Sequence, residues 1–401
     1  MRVVIIGGGQ AAASAAAKLR ALGADGPITL LMAEPVPPYQ RPPLSKKYLL
    51  GEFERERLYL KPESFYAEHG IELGAGEAAE RIDPASKTVT TAKRTLPYDA
   101  LLIATGSAPR RLPEAAGGSL PGVYVMRDLA DADALAPLVA EGGRALVIGG
   151  GYIGLEAAAV AASRGLEVTL VEMAPRILAR VACAETADVV RALHLRHGVT
   201  IRESTGLEGL APGSERRLTA NLTDGTSLEV DFALVGIGVV PGTALAEEAG
   251  LAIENGIRTD ETCRTSDPAI WAAGDCASFP WQDGRIRLES VQNAIDQAEH
   301  AAAAMLGETR PYRPSPWFWS DQYTTKLQIA GLGTGADRIV RRPGSREGAS
   351  SLWYYRADRL IAVDAINEPR AYMQGKRWIE AGTTPDPEGL ADPARDLKSL
   401  V

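Results

Sequence analysis

One hydrophobic pattern occurs twice along the chain. Val3-Val4-Ile5-Ile6 is a continuous apolar run that ends on Gly7-Gly8-Gly9-Gln10-Ala11-Ala12, and Leu146-Val147-Ile148 ends on Gly149-Gly150-Gly151-Tyr152-Ile153-Gly154. A short unbroken apolar run predicts a strand buried on both faces, and the alanine-rich stretch after each glycine cluster predicts a helix. The first helix spans residues 11–22, and a second strand follows at 28–32, closing near Glu34. The second copy continues in the same way, with a strand at 167–171 that closes on Glu172. Residues 100–106 and 232–238 are again apolar runs that exit on glycine, Thr105-Gly106 in one and Gly238 in the other. The two halves read as one mononucleotide-binding plan used twice. In that plan the first glycine makes the turn, the second lets backbone approach a pyrophosphate, and the third position needs only a small side chain. Phosphate charge then meets the positive end of the helix. Two dinucleotides are expected.

Between and beyond these units the pattern changes. Residues 35–46 are a proline-rich loop containing Arg41 and Lys46, stiff by composition and ending in a helix that begins near Ser45. Pro109, Pro113 and Gly117-Gly118 mark a linker. Residues 269–276 form a strand that delivers Asp275 at its carboxyl end. From Trp317 onward short alternating runs at 325–329, 352–355 and 360–364 predict a small antiparallel sheet with helices. Near the end, Asp392-Pro393 is expected to cap a last short helix.

Composition narrows the function. The chain has 401 residues, 45% hydrophobic and 23% charged, with a net charge of −8. That charge argues against nucleic-acid binding, and no apolar run is long enough to span a membrane. Met1-Arg2 leads directly into a strand, so a cytoplasmic protein is expected. Cys183, Cys263 and Cys276 form no Cys-x-x-Cys pair. His194 and His197 share a helix face and read as a solvated surface pair. No metal site is expected.

Taken together the motifs resemble the FAD-dependent, NADH-using ferredoxin reductases of cytochrome P450 and Rieske dioxygenase systems, the group of the putidaredoxin and biphenyl-dioxygenase reductases. The resemblance runs over essentially the whole chain. It rests on both fingerprints, Arg41-Pro42-Pro43-Leu44-Ser45-Lys46, Ala104-Thr105-Gly106, Leu155-Glu156 and Ala273-Gly274-Asp275-Cys276. Glu289-Ser290-Val291-Gln292-Asn293-Ala294 and residues 316–323, around Trp317-Phe318-Trp319, narrow it to this group.

The resemblance implies an α/β fold: two Rossmann-like dinucleotide-binding domains of the glutathione-reductase kind and a C-terminal α+β domain. It implies an FAD domain at 1–110 and 239–316, an NAD domain at 111–238 and a C-terminal domain at 317–401. Gly7, Gly9 and Ala12 are expected at the FAD pyrophosphate, Glu34 at the adenosine ribose and Asp275 at the ribityl chain. Arg41, Thr105, Gly106, Glu289, Val291 and Gln292 also fall to FAD. Gly149, Gly151, Ile153, Gly154 and Gly238 are expected at NAD. Glu172 should bind both ribose hydroxyls and repel a 2′-phosphate, favouring NADH, with Arg176 nearby as the counter-indication. Lys46 and Trp319 are expected at the flavin and Glu156 at the nicotinamide amide, the three groups assigned to catalysis, whereas Trp317 is structural.

Hydride transfer packs nicotinamide C4 against flavin N5 and needs positioning more than acid–base chemistry. Without a cysteine pair, electrons must leave the chain, and a [2Fe–2S] ferredoxin is the expected acceptor. Lys46, Lys47, Arg310, Arg313 and Lys326 are candidates for docking it. The rivals are a rubredoxin or nitrite-reductase-associated reductase, an NADH oxidase or peroxidase, and a signalling flavoprotein. The tryptophan segment argues against the first, the missing catalytic cysteine against the second, and the absence of targeting or nucleic-acid-binding charge against the third.

Overall fold

The computed structural model describes residues 1–401, the side chain of Arg216 apart. Contacts divide the chain into two units: residues 1–41, 54–108 and 239–314 form one, and residues 42–53, 109–238 and 315–401 the other.

In the first unit, five parallel strands lie in the order Ile270–Ala272, Ala100–Ile103, Val3–Ile6, Ile28–Leu31, Ile71–Gly74. Four of them are buried along their whole length, which is why they are almost wholly apolar, Thr29 alone being polar and donating to Glu72. One face is covered by the helices Gln10–Ala21 and Val291–Met305. They meet through small residues, among them Ala12, Ala15, Ala16, Ala298, Ala301 and Ala302, all fully buried. The other face packs on Ile82, Val89, Ala246 and Leu251. The order places the chain exits after Val3–Ile6, Ala100–Ile103 and Ile270–Ala272 side by side. Gly7, Thr105-Gly106 and Asp275 follow those three strands.

The second unit repeats the plan, with strand order Thr200–Glu203, Glu167–Glu172, Arg144–Ile148, Phe232–Val235, Val123–Tyr124, all parallel. Helix Tyr152–Ser163 follows its glycine turn. The same unit holds a five-stranded antiparallel sheet in the order Trp317–Gln322, Thr325–Gly331, Arg359–Ile366, Ser350–Arg356, Arg338–Pro343. Helix Pro369–Ala381 packs on it around Trp353, Tyr355, Val363 and Trp378. This is the expected architecture of two Rossmann-like halves and an α+β C-terminal part.

Two local expectations are corrected. The last α-helix is Pro387–Ala391, capped by Asp386, whose Oδ2 accepts the Gly389 N–H at 2.7 Å, and a 3-10 turn Leu397–Ser399 capped by Asp396 follows it. Asp392-Pro393 opens only a turn, because the fully buried Leu390 anchors the preceding segment instead. His194 is not solvated: strand Trp317–Gln322 and Tyr323 cover it, leaving it with no exposed surface. His197 stays exposed and stacks on Tyr323 with ring centroids 3.7 Å apart.

Candidate dinucleotide and hydride-transfer site

Each fingerprint builds an anion cradle. Gly7 has φ +146°, and a Cβ there would lie 2.2 Å from the Ala104 carbonyl oxygen, so only glycine lets the turn pass the neighbouring strand. At Gly9 a Cβ would meet nothing within 4 Å, so backbone is open to an approaching group. Gly9 caps helix Gln10–Ala21 with no side-chain bond and no acid in the first turn. The second copy matches it. A Cβ on Gly149 would sit 2.4 Å from the Gly236 oxygen, Gly151 is open, and helix Tyr152–Ser163 is likewise uncapped and acid-free in its first turn. Helix Leu129–Glu141, by contrast, satisfies its amino end with a full Asp128–Asp131 capping box. Exposed N–H groups in a glycine-lined hollow fit the pyrophosphate of a dinucleotide at both places.

In the first unit Glu34 is engaged by Arg41 at 2.6 Å and by the Tyr39 hydroxyl at 2.5 Å, the proline-rich loop folding back onto it. Arg41 also lies over the Tyr39 ring. Thr105 donates to the Gly242 carbonyl at 2.6 Å, and Gly106 accepts the Gly242 N–H at 2.9 Å. Asp275 accepts from Ser107 at 2.8 Å. Gln297, two turns into helix Val291–Met305, accepts the Gly274 N–H at 2.9 Å and so braces that turn. Glu289 pairs with Arg287 at 2.7 Å, Val291 opens the helix, and Gln292 donates to Asp296 at 2.6 Å.

In the second unit Glu172 takes two main-chain donors, the Gly150 N–H at 2.7 Å and the Ala174 N–H at 2.8 Å. Arg176 folds onto the backbone, donating to the carbonyls of Ala182 at 2.7 Å and of Ile177, Ala179 and Cys183 at 3.4 Å. Ile153 is exposed beside the cradle. Gly238 has φ +99° and accepts the Arg110 N–H.

The centre of this unit is Glu156, 4% exposed. The loop after the prolines forms two short turns over Leu44–Tyr48 kinked at Lys46, which pack on helix Tyr152–Ser163 and bring Lys46 Nζ to 2.7 Å from Glu156. Ser45 donates to the same oxygen at 2.9 Å and Ser320 to the other at 2.7 Å. Burying an ion pair is tolerable only when its remaining hydrogen-bonding capacity is filled, as here. Lys46 is thereby corrected as a docking candidate: it is mostly buried and paired with Glu156 rather than presented at the surface. Lys47, Arg313 and Lys326 are exposed, and Arg310 is exposed but paired with Glu308. Trp319 is half-buried and tilted against Trp317 and Phe318, while Trp317 packs on Tyr372 and under Lys376.

Sequence reasoning missed Ser45 and Ser320 as partners of Glu156. A signal existed: in the strand Trp317–Gln322 the aromatic and acidic positions 317, 319 and 321 alternate with Phe318, Ser320 and Gln322, so two polar side chains share one face. A second buried acid, Asp364, was also missed. It accepts from Thr186 at 2.7 Å and from Tyr354, and burial pushes it up to about 6. All three thiols are free, and burial pushes each of them up, away from the reactive thiolate. Among the described residues no cluster of metal-ligating side chains is gathered, and no helix is long and apolar enough to cross a membrane.

Two parallel sheets, each with a phosphate cradle at its strand ends, define an oxidoreductase that holds FAD and a nicotinamide coenzyme. Residues 1–298 match the family model described as pyridine nucleotide-disulphide oxidoreductase, and residues 317–401 match the one described as reductase C-terminal. The chain belongs to the pyridine nucleotide-disulphide oxidoreductase family. It is 42% identical to rhodocoxin reductase of Rhodococcus erythropolis over 404 residues, 100% of this chain and 94% of that protein. Its fold matches the reductase in the covalent putidaredoxin reductase–putidaredoxin complex with a TM-score of 0.95 and 39% identity, over 100% of this chain and 97% of that one. The ferredoxin reductase for the CYP199A2 system of Rhodopseudomonas palustris matches with a TM-score of 0.95 and 37% identity, over 100% of both chains.

Proposed function

We propose that this chain takes hydride from NADH onto FAD and passes the electrons one at a time to a [2Fe–2S] ferredoxin that serves a cytochrome P450 or a Rieske dioxygenase. The observation that carries the reading is the pair of uncapped, glycine-lined helix ends, one in each unit. The covalent complex of a relative with its redox partner supports the choice of acceptor.

The domain assignment follows: FAD on 1–110 and 239–316, NAD on 111–238, and a C-terminal domain over 317–401. Gly7, Gly9 and Ala12 hold the FAD pyrophosphate, Glu34 and Arg41 its adenosine side, and Asp275, with Thr105 and Gly106, its ribityl side. Glu289, Val291, Gln292 and Trp319 belong with the flavin ring. Flavin supplies the conversion of a two-electron donor into one-electron deliveries. Gly149, Gly151, Ile153, Gly154 and Gly238 bind the second dinucleotide. Glu156, held by Lys46, Ser45 and Ser320, orients the nicotinamide amide, and Lys46 carries positive charge at the flavin. Glu172 selects NADH, which the withdrawal of Arg176 onto backbone carbonyls supports. Three free thiols suit the reducing cytoplasm, where NADH is supplied.

Lys47, Arg313 and Lys326, with Arg310, steer an acidic ferredoxin, so its reduction slows as salt rises while flavin reduction by NADH does not. The test is anaerobic rapid mixing. NADH should bleach the flavin in one phase, and a [2Fe–2S] ferredoxin, but not a rubredoxin or a disulfide, should restore it. Bleached protein that reoxidises only through a disulfide would refute the proposal.

A further inference from the structure

Behind Glu156 the second unit contains a line of polar side chains that its fold has no need to bury. Ser320, which donates to Glu156, accepts from Gln322 Nε2 at 3.1 Å. The other end of the same amide, Gln322 Oε1, lies 2.8 Å from His194 Nε2. Tyr323 Oη lies 3.4 Å from His194 Nδ1. Ser320, Gln322 and His194 are 1%, 4% and 0% exposed. Burying three such groups costs several kcal/mol unless every donor finds an acceptor, which makes the line a specified network rather than leftover surface.

The roles in this network are forced. An amide nitrogen that faces Ser320 leaves its carbonyl oxygen to face the imidazole, so His194 donates from Nε2, and the neutral ring that burial favours accepts at Nδ1. Ser320, having accepted from Gln322, turns its own hydrogen to Glu156. Every donor therefore points one way, from Tyr323 through His194, Gln322 and Ser320 to the carboxylate. Ser45 and Lys46 close on it from the other side. The line spans three separate pieces of sequence, with His194 on helix Ala184–Arg196, Ser320 and Gln322 in the strand Trp317–Gln322, and Glu156 on helix Tyr152–Ser163. It ties the C-terminal sheet to the residue that faces the coenzyme.

We propose that Gln322 and His194 are positioning residues for hydride transfer, acting through Ser320 to fix the orientation of the Glu156 carboxylate. The inference rests on the reading of Glu156 as the nicotinamide contact. Gln322→Leu removes the donor that orients Ser320. Gln322→Glu keeps the shape and makes the polarity titratable. Protonated, a glutamic acid at 322 donates to Ser320 and accepts from His194 as the amide does. Ionised, it draws the Ser320 hydrogen away from Glu156. The titratable and charged groups around position 322 are His194 and His197, Tyr323 on the following turn, and, across Ser320, Glu156 with Lys46.

The experiment uses the flavin-loaded protein and two readouts. In rapid mixing with saturating NADH, Gln322→Leu should slow flavin reduction about tenfold at every pH, a loss typical of a misplaced catalytic contact. Gln322→Glu should be near the unsubstituted rate at pH 5.5 and fall towards the Gln322→Leu rate by pH 9. In 15N-histidine spectra one ring should stay in the neutral Nε2–H form from pH 5.5 to 8.5. Gln322 variants that reduce flavin within twofold of the unsubstituted protein at all pH values would overturn the proposal. So would a His194 ring that titrates or carries its proton on Nδ1. Glu156→Gln separates the two layers. If it too reduces flavin normally, the reading of Glu156 fails and the inference with it, whereas a slow Glu156→Gln beside normal Gln322 variants sinks the positioning line alone.

Discussion

The two glycine cradles share a backbone plan and differ in how their acids are held. In the first, Glu34 is half-exposed and neutralised by Arg41, with the side chains 28% and 29% exposed. In the second, Glu172 is held by two neutral backbone N–H groups instead of a guanidinium. That unit also encloses Glu156, whose side chain is 5% exposed, against Lys46 at 17%. A clasp of opposite charges in the loop suits a ligand that is bound once and kept. An uncompensated carboxylate suits a coenzyme that is read and then released, because it accepts hydroxyl donors while repelling phosphate. The lesson is that one supersecondary unit gives its strand-end acids different partners, a guanidinium in one copy and backbone amides in the other.

The largest effect expected from this contrast is in stability. Lys46→Met strands Glu156 as an unpaired buried charge and should cost about 3–5 kcal/mol. Arg41→Met breaks a pair that water already screens and should cost at most about 1 kcal/mol. Denaturant unfolding of both variants checks this, and equal losses would erase the distinction between the two sites. A smaller effect comes from Asp364, the other buried acid of the second unit. Its folded pKa of about 6 lies above the ordinary 3.8, so the folded state holds the proton more tightly than the unfolded chain. The stabilisation is therefore present below pH 4 and lost as pH rises through 6, about 2–3 kcal/mol in all. The stability of the unsubstituted protein relative to Asp364→Asn should fall by that amount between pH 4 and 7. A pH-independent difference would mean that Asp364 does not titrate there.

The third position of each fingerprint gives the next contrast. A Cβ on Gly154 would lie 2.2 Å from the Gly149 carbonyl oxygen, whereas Ala12 already carries one, fully buried. Gly154→Ala should destabilise by about 1–3 kcal/mol and weaken NADH binding, leaving flavin content unchanged. Ala12→Gly should cost only about 1 kcal/mol, the ordinary cost of glycine in a helix. Thermal melts and NADH titrations of the two variants measure this asymmetry.

Much of this was legible in the sequence where the determinants are local. Unbroken apolar strands ending on glycine announced both cradles, and each strand-end acid, Glu34 and Glu172, was visible where its strand closes. What could not be read there is nonlocal. Ser45 and Glu156 are 111 residues apart, and His194 is covered by Gln322 from 128 residues away, so a helix-face histidine looked solvated. Asp386-Pro387 and Asp392-Pro393 carry the same local capping signal, and only the burial of Leu390 chooses between them. Lys46 looked like a docking cation because its partner sits on a helix more than a hundred residues on. Charge shows its sign in sequence but not its counterion.

The smallest effect tests the coenzyme half of the comparison. Backbone amides hold Glu172, and Arg176 turns both terminal nitrogens onto four backbone carbonyls, keeping only its Nε–H for any other acceptor. If Glu172 selects the coenzyme, discrimination against NADPH should rest on Coulomb repulsion from this one carboxylate. Glu172→Gln keeps the shape and an acceptor oxygen for one ribose hydroxyl while removing the charge. It should raise kcat/KM for NADPH about tenfold, near 1.4 kcal/mol, and lower that for NADH by less. Steady-state kinetics with both coenzymes read this directly, and added salt should narrow the difference for the unsubstituted protein more than for the variant. If Glu172→Gln leaves the NADH-to-NADPH ratio unchanged, the carboxylate is only a brace for Gly150, and the two cradles differ in packing but not in electrostatics.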